Sequence, residues 1–254
     1  MARLISDISI SLDGFAAGPN PNLEQPLGAG GDLLHEWAIA AASWRESHGL
    51  EGGEENADSE VIEEWIRATG AVVMGRKMFS GGEGPWENDP RADGWWGDDP
   101  PFHVPVFVLT HHARETRVMQ GGTSFIFVTD GIEAALEQAR AAAGDRDVHL
   151  AGGASVIQQY LKAGLLDELQ IHLASVLLGD GVPLFDRLGI DATRLEASRV
   201  ISSPSVTHLR SRCREERPRS IDERAPRNES ASSWTSRKPC ASWRSPWPRC
   251  APPR

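Results

Sequence analysis

Cysteine is absent from the first 212 residues of this 254-residue chain, and the three cysteines that follow are Cys213, Cys240 and Cys250. None of them has the C-x2-C spacing of a pair of zinc ligands. A thiol nucleophile, a zinc ribbon and a disulfide framework are therefore not expected in the preceding part of the chain. Neither an H-x-x-x-H motif nor a carboxylate cluster is present, so no metal site is predicted.

Long apolar runs are also missing, since no stretch approaches the roughly 18 apolar residues that a membrane-spanning helix needs. The chain begins Met1-Ala2-Arg3-Leu4 and continues directly into a strand-like segment, without the apolar core of a signal peptide. We therefore expect a cytoplasmic protein that has no membrane partner.

Basic residues are scarce in residues 1–211, which contain 15 Lys and Arg against 31 Asp and Glu, a balance of −16. This acidic body argues against nucleic-acid binding, because phosphate backbones repel it. Residues 212–254 reverse the sign, with 11 Lys and Arg against 5 Asp and Glu. Their Arg-, Ser-, Pro- and Trp-rich composition predicts a disordered basic tail.

Three interpretations of this tail remain open. It is a basic interaction arm, a disordered segment without a role, or the product of a shifted reading frame. The third is suggested by the abrupt change in composition, which brings all the cysteines and the additional tryptophans Trp234, Trp243 and Trp247.

Strands and helices are predicted to alternate along residues 1–211. Apolar alternation and short β-branched runs predict strands at residues 2–10, 71–74, 106–110, 124–129, 147–151, 169–178, 195–201 and 205–211. Helical spacing predicts helices at residues 33–44, from an N-cap at Asp58 or Ser59 to Thr69, and at 132–143 and 154–163. This order predicts one three-layer α/β domain with a mostly parallel central sheet and antiparallel strands at its C-terminal edge.

Two segments at strand ends could bind phosphate. Gly152-Gly153 precedes a predicted helix that starts at Ala154, where glycine allows close approach and the helix offers free N–H groups, with Ser155 adding a hydroxyl. Arg76, in the sequence Gly75-Arg76-Lys77, follows a buried strand, and its guanidinium could bind phosphate oxygens with two hydrogen bonds. The alternatives are a tight turn without a ligand and a solvated basic pair.

Other motifs are less specific. Asp13-Gly14 is typical of a plain turn, and His172 in a central strand is typical of a hydrogen-bonded core histidine. The G-x-G-x-x-G motif of Rossmann folds and the G-x-S-x-G motif of serine hydrolases are both absent.

Six segments in the same order and spacing resemble the dihydrofolate-reductase superfamily. The similarity is greater to the branch of the reductase domain of the bifunctional riboflavin-pathway deaminase-reductase, and it covers residues 2–210. The segments are Ser-Leu-Asp-Gly-Phe (11–15), Val-Val-Met-Gly-Arg-Lys-Met-Phe (72–79), Val-Phe-Val-Leu-Thr (106–110), Ala-Gly-Gly-Ala-Ser-Val-Ile (151–157), Asp-Glu-Leu-Gln-Ile-His (167–172) and Gly-Asp-Gly-Val-Pro-Leu-Phe (179–185).

The resemblance implies an oxidoreductase that binds NADPH and forms a homodimer. The residues that match its cofactor segments are Gly75, Arg76, Lys77 and Met78 for the adenosine-side phosphate, Leu109 and Thr110 for the ribose and 2′-phosphate, Gly152, Gly153, Ala154, Ser155 and Val156 for the pyrophosphate, and Ala16, Ala17, Asp180 and Gly181 around the nicotinamide. A preference for NADPH over NADH would rest on a cation near the 2′-phosphate, for which Arg76, Lys77 and His111 are candidates.

The substrate side departs from dihydrofolate reductases. The loop before the first helix is longer, a Pro-Trp pair is missing, and His172 stands where those enzymes have a threonine. The candidates for positioning or supplying a proton are Asp13, Glu36 and His172, with Trp37 against the substrate. The expected function is hydride transfer to a small heterocycle, pyrimidinone or pteridine-like. The alternative is a catalytically inactive nucleotide-binding protein of the same fold.

Overall fold

The computed structural model describes residues 2–186, 188–190 and 195–213. Its strands are β1 (Leu4–Ile10), β2 (Phe15–Ala17), β3 (Thr69–Gly75), β4 (Pro105–Leu109), β5 (Arg117–Val118), β6 (Ser124–Val128), β7 (Asp147–Gly152), β8 (Glu168–Ala174), β9 (Val182–Pro183), β10 (Leu195–Ser202) and β11 (Val206–Cys213). Its helices are α1 (Glu36–Ala40), α2 (Ala42–Ser47), α3 (Ala57–Ala68), α4 (Arg76–Ser80), α5 (Ile132–Ala143) and α6 (Ala154–Lys162), with 3₁₀ turns at Gly31–Leu34, Trp86–Asn88 and Gln120–Gly122.

Nine of these strands form one sheet in the order β10-β11-β8-β1-β7-β3-β4-β6-β5. The central six, from β8 to β6, are mutually parallel, whereas β11, β10 and β5 are antiparallel to their neighbours. The predicted α/β class, the mostly parallel sheet and the antiparallel C-terminal pair are confirmed. The antiparallel β5 at the opposite edge was not predicted.

Helices cover both faces of the sheet. Leu4, Val148 and Leu150 point towards α5 and α6 and join the largest hydrophobic cluster. On the other face, the segment that follows β3 packs Phe79 against Phe125 and Phe127. Alternation along each strand thus divides its side chains between two cores, as a three-layer domain requires.

Two of the predicted helices differ from the structure, and the strand predicted at 169–178 ends at Ala174. The helix predicted at 33–44 is divided into a 3₁₀ turn, α1 and α2, because Ala41 is extended and bridges to Glu54. The cap of α3 is Asn56, whose side chain accepts hydrogen bonds from the Asp58 and Ser59 amides. Apolar spacing survives such a break because the half-buried Trp44 of α2 packs against the same cluster as the buried Trp37 and Ala38 of α1.

The last strand ends at Cys213, two residues beyond the predicted boundary, so Cys213 belongs to β11 and is half-buried. The predictions for the remainder of the tail concern residues outside the described range. Among the described residues, no helix has the length and apolar character to cross a membrane.

Candidate active site

The carboxyl ends of the parallel strands bring the predicted cofactor segments together. Met74 pairs with Gly152 across β3 and β7, and Gly75 pairs with Leu109 across β3 and β4. A Cβ atom on Gly75 would lie 2.7 Å from Cγ2 of Val156, so glycine is what allows β3 to approach α6 this closely. Two motifs that are 77 positions apart in the chain therefore form one surface.

The Gly152-Gly153 turn presents its backbone outward. Gly152 has φ of +116°, its peptide bond to Gly153 is cis, and Gly153 is exposed, with open space where a Cβ would lie. The Val156 amide donates to the Gly153 carbonyl, whereas the amides of Ala154 and Ser155 belong to the first helical turn, which has no intrahelical acceptors. Ala154 and Val156 are buried, and Ser155 is exposed beside the turn.

The predicted nicotinamide residues also meet. Strand β2, which contains Ala16 and Ala17, pairs with β9 directly after Asp180-Gly181. A Cβ on Gly181 would lie 2.2 Å from the Ala17 carbonyl oxygen, so this contact requires glycine. The four residues thus line one turn at the carboxyl edge of the sheet.

Asp13 joins this turn as a hydrogen-bond acceptor. Its carboxylate accepts hydrogen bonds from the Leu178 and Gly179 amides, at 3.2 and 2.7 Å. Hydrogen bonds from the Ser11 hydroxyl and from these amides lower the pKa of Asp13. An exposed carboxylate that stays ionised positions a loop well and supplies protons poorly.

The guanidinium of Arg76 points into the protein, contrary to the prediction that it binds phosphate. It is buried, pairs with Asp89, donates to the Ser80 hydroxyl and lies 3.5 Å from the ring centroid of Trp86. The segment at 80–104, rich in Gly, Pro, Asp and Trp, covers it with Trp86 and supplies Asp89, which the sequence did not indicate. Its two terminal nitrogens therefore have partners already.

The other predicted adenosine-side residues surround this edge. Lys77 is exposed and pairs with Glu83, while Met78 is half-buried, with its sulfur 3.9 Å from a Cβ position on Gly152. Leu109 ends β4, and the buried Thr110 hydroxyl accepts from the His112 amide. Among the described residues, Lys77 and His111 are therefore basic side chains that lie exposed at this edge.

The three proton candidates occupy different environments. Glu36 is exposed at the start of α1, and its role as a proton candidate stays a prediction. Trp37 is buried, donates from Nε1 to the Ser9 hydroxyl, and packs against His172 at a tilt of 39°, with 4.6 Å between the ring centroids. Trp37 therefore shields His172 rather than presenting a free face.

His172 is the second member of a buried chain of four side chains. Its Nε2 lies 2.9 Å from Asp7, its Nδ1 lies 2.6 Å from Nδ1 of His208, and Nε2 of His208 lies 2.8 Å from Asp58. Three hydrogen bonds need three protons, whereas two neutral imidazoles carry two. The chain therefore holds one additional proton.

Two members of this chain have shifted pKa values. Burial raises the pKa of Asp7, but the charge and hydrogen bond of His172 outweigh it, so its pKa is lowered and it stays ionised. Burial lowers the pKa of His208 despite its bond to Asp58. Asp7 is therefore the acceptor at its end of the chain, opposite Nε2 of His172 at 2.9 Å.

Sequence reasoning missed Asp7 and His208, and it considered Asp58 only as a cap. A signal was present, because polar residues alternate with apolar ones in strands that are buried on both faces. Asp7 alternates with Ile8 along β1, and Gln170 alternates with Ile171 along β8. Such a polar stripe on the inner face of a central strand indicates a buried network.

Among the described residues, no group of three or more His, Cys, Asp or Glu side chains is arranged to hold a metal ion.

Comparisons with known proteins agree with this architecture. The chain is 23% identical over 193 residues to the uncharacterised protein YyaP of Bacillus subtilis (strain 168). The aligned region covers 72% of this chain and 80% of the relative. A crystal structure from Shewanella sp. PV-4, of a protein assigned provisionally to riboflavin biosynthesis, has a TM-score of 0.51 and 23% identity. It covers 84% of this chain and 99% of its own. That likeness shows the fold.

The family model of the RibD C-terminal domain matches residues 2–209, which is most of the chain. The protein therefore belongs to the RibD C-terminal domain family, the riboflavin-pathway reductase branch of the dihydrofolate-reductase-like fold.

Proposed function

We propose that this protein is an NADPH-dependent reductase that transfers hydride to a small heterocycle of the pyrimidinone or pteridine kind. The observation that carries the proposal is the meeting of Gly75, Leu109 and Gly152 at one sheet edge, where α6 begins. Family membership supports the reductase role. Carboxyl edges of parallel strands are where α/β folds bind such ligands.

The residues at this edge fit a dinucleotide. Gly153 is exposed with open space above it, and the first-turn amides of Ala154 and Ser155 would donate to the pyrophosphate, with the Ser155 hydroxyl beside them. Bound NADPH supplies the hydride, and the protein supplies position and a dry environment. Ala16 and Ala17 on β2 would flank the nicotinamide together with the 180–181 turn.

A preference for NADPH over NADH rests on Lys77 and His111, because the Arg76 guanidinium is buried in its pair with Asp89, whereas the pair of Lys77 with Glu83 is exposed to solvent. One exposed cation contributes modestly to binding of a 2′-phosphate. We expect NADPH to bind more tightly than NADH by about tenfold, and we expect Lys77→Ala to reduce this ratio of dissociation constants. Equal dissociation constants for the two cofactors in the unmodified protein would refute the preference.

Among the three proton candidates, the geometry supports His172, whose imidazole is hydrogen-bonded to Asp7 and His208 in a buried chain, over the ionised Asp13 and the exposed Glu36. We expect Glu36→Ala to leave turnover unchanged and His172→Gln to lower kcat and move its pH profile. Unchanged profiles for His172→Gln would remove His172 from the reaction.

A charge placed at the pyrophosphate turn tests the cofactor site directly. Gly153→Glu introduces a carboxylate at a position that sterically accepts a side chain, so folding should persist. Repulsion from the pyrophosphate should weaken NADPH binding by about two orders of magnitude. Gln159→Glu adds the same charge on the exposed face of α6 and should change binding little. Titration of NADPH fluorescence measures both.

Two results would revise the proposal in different ways. If Gly153→Glu and the unmodified protein bind NADPH equally, the cofactor site is wrong. If NADPH binds but is not oxidised with any member of a panel of pyrimidinones and pteridines, the inactive nucleotide-binding alternative replaces the reductase.

A further inference from the structure

A cavity lies beneath α3, at the amino ends of the central strands. Its volume is about 90 Å³, and Asp7, His149, Gln170 and Trp65 line it. His149 precedes Gly152 by three residues on β7, which corresponds to about 10 Å along a strand. The cavity is therefore separate from the candidate cofactor edge.

His149 is the unusual member of this lining. Its side chain is 8% exposed, and neither Nδ1 nor Nε2 has a hydrogen-bond partner among the described residues. The Trp65 ring lies 4.4 Å away between centroids and covers one face of the imidazole. Burial lowers the pKa of His149, so the ring is neutral and presents one donor and one acceptor. A buried imidazole with both nitrogens unbonded is costly unless a further molecule bonds to it.

Two more polar groups face the same space. Asp7 accepts hydrogen bonds from His172 on one oxygen and from the Gln170 amide at 3.1 Å on the other. Each carboxylate oxygen has a further lone pair, so Asp7 can accept from an additional N–H group. Val61 and Ile201 form apolar parts of the wall. The cavity thus offers Asp7 and one nitrogen of His149 as acceptors, the other nitrogen of His149 as a donor, and the Trp65 ring as part of its wall.

The charges around the mouth do not select an ion. Each arginine there is paired with an acid, and the ion pairs are Arg3–Asp147, Arg3–Glu168, Arg199–Glu64, Arg210–Glu64 and Arg210–Glu168. The ionised Asp7 inside disfavours an anion. An uncharged molecule therefore suits this cavity better than a phosphate or a carboxylate.

We propose that this cavity binds a small, uncharged, planar ring with neighbouring N–H and C=O groups, of the lactam or cyclic urea class. The N–H groups would donate to Asp7 or to the acceptor nitrogen of His149, and a carbonyl would accept from its N–H. At roughly 10–15 Å³ for each water-sized position, 90 Å³ holds about six to nine such positions. That space fits one six-membered ring with one or two small substituents.

Uracil is a suitable probe, used without cofactor on the full chain. We expect calorimetry to detect binding, and a crystal soaked with uracil to show it against His149. His149→Leu removes both nitrogens at similar volume and should weaken binding at least tenfold. His149→Gln restores one donor and one acceptor and should recover most of it. His103→Leu, at an exposed histidine before β4, is the matched control and should bind normally.

Three outcomes would overturn the proposal. They are no binding up to the solubility of uracil, equal binding by His149→Leu, and a soaked crystal with ordered water only in the cavity. If His149→Leu does not fold, Ala68→Leu replaces it, because Ala68 is exposed at the mouth and a larger side chain there narrows the space. Unchanged uracil binding by Ala68→Leu would equally count against the site.

Discussion

The contact between Gly75 and Val156 joins the two predicted phosphate segments, and a double-mutant cycle can measure it. Gly75 has φ of −83° and ψ of 158°, which alanine adopts readily, so Gly75→Ala acts through space alone. The new methyl would lie 2.7 Å from Cγ2 of Val156, a β-branched side chain that rotates little. Overpacking of this kind destabilises by about 1–3 kcal/mol.

Val156→Ala removes that obstacle. Alone it should cost roughly 1.6 kcal/mol, from two buried methyl groups at about 0.8 kcal/mol each, and somewhat more if a cavity remains. In the double variant the new methyl occupies the vacated space. The double variant should therefore lose less unfolding free energy than the sum of the two single losses, by about 1 kcal/mol or more.

Urea unfolding of the four proteins, followed by circular dichroism, gives the coupling free energy. Val61→Ala is the control partner, because Val61 is buried on α3 at the opposite end of the strands. Its loss should add to that of Gly75→Ala within about 0.5 kcal/mol. Strict additivity of Gly75→Ala with Val156→Ala would show that β3 and α6 do not meet as described.

Three further predictions concern polar side chains. Arg76→Met should lower the free energy of unfolding in urea by about 3–5 kcal/mol, because it leaves the Asp89 carboxylate buried without its cation. The double variant Arg76→Met with Asp89→Leu should lose less unfolding free energy, because no unpaired charge remains buried. The pKa of His149 is lowered in the folded protein, so His149 takes up a proton near pH 6.5 in the unfolded chain and only at lower pH in the folded one. Stability should therefore fall as pH drops below about 6.5, and less steeply in His149→Leu, whereas parallel curves would contradict this cause. Asn56→Ala removes the cap of α3 and should lower the free energy of unfolding by about 1 kcal/mol, with no loss refuting the capping role.

The sequence predicted the fold well where local and global signals agree. Helix α5 was predicted at its observed bounds, because a glycine follows an uninterrupted apolar period. The helix at 33–44 was predicted as continuous, since apolar spacing does not report the extended backbone at Ala41, which depends on a bridge to the distant Glu54. Long-range pairing of this kind leaves no local mark.

The cofactor segments were predicted by motif and order, and their meeting at one edge follows from parallel strand pairing. The direction of individual side chains was not predictable. Arg76 faces inward because Asp89 and Trp86 arrive from a loop without periodicity, and Glu36 faces outward because Trp37 takes the buried position on α1. Neither partner is identifiable from neighbouring sequence.

Residue types and their alternation therefore determined the layers, the strand directions and the positions of the glycine turns, because backbone preferences and burial act locally. Tertiary structure alone decided which charges are neutralised and which remain available. Strand register brings Asp7, His172 and His208 within hydrogen-bond distance, and the start of α3 adds Asp58 to the chain. The protonation of a buried group depends on neighbours that lie far apart in the chain.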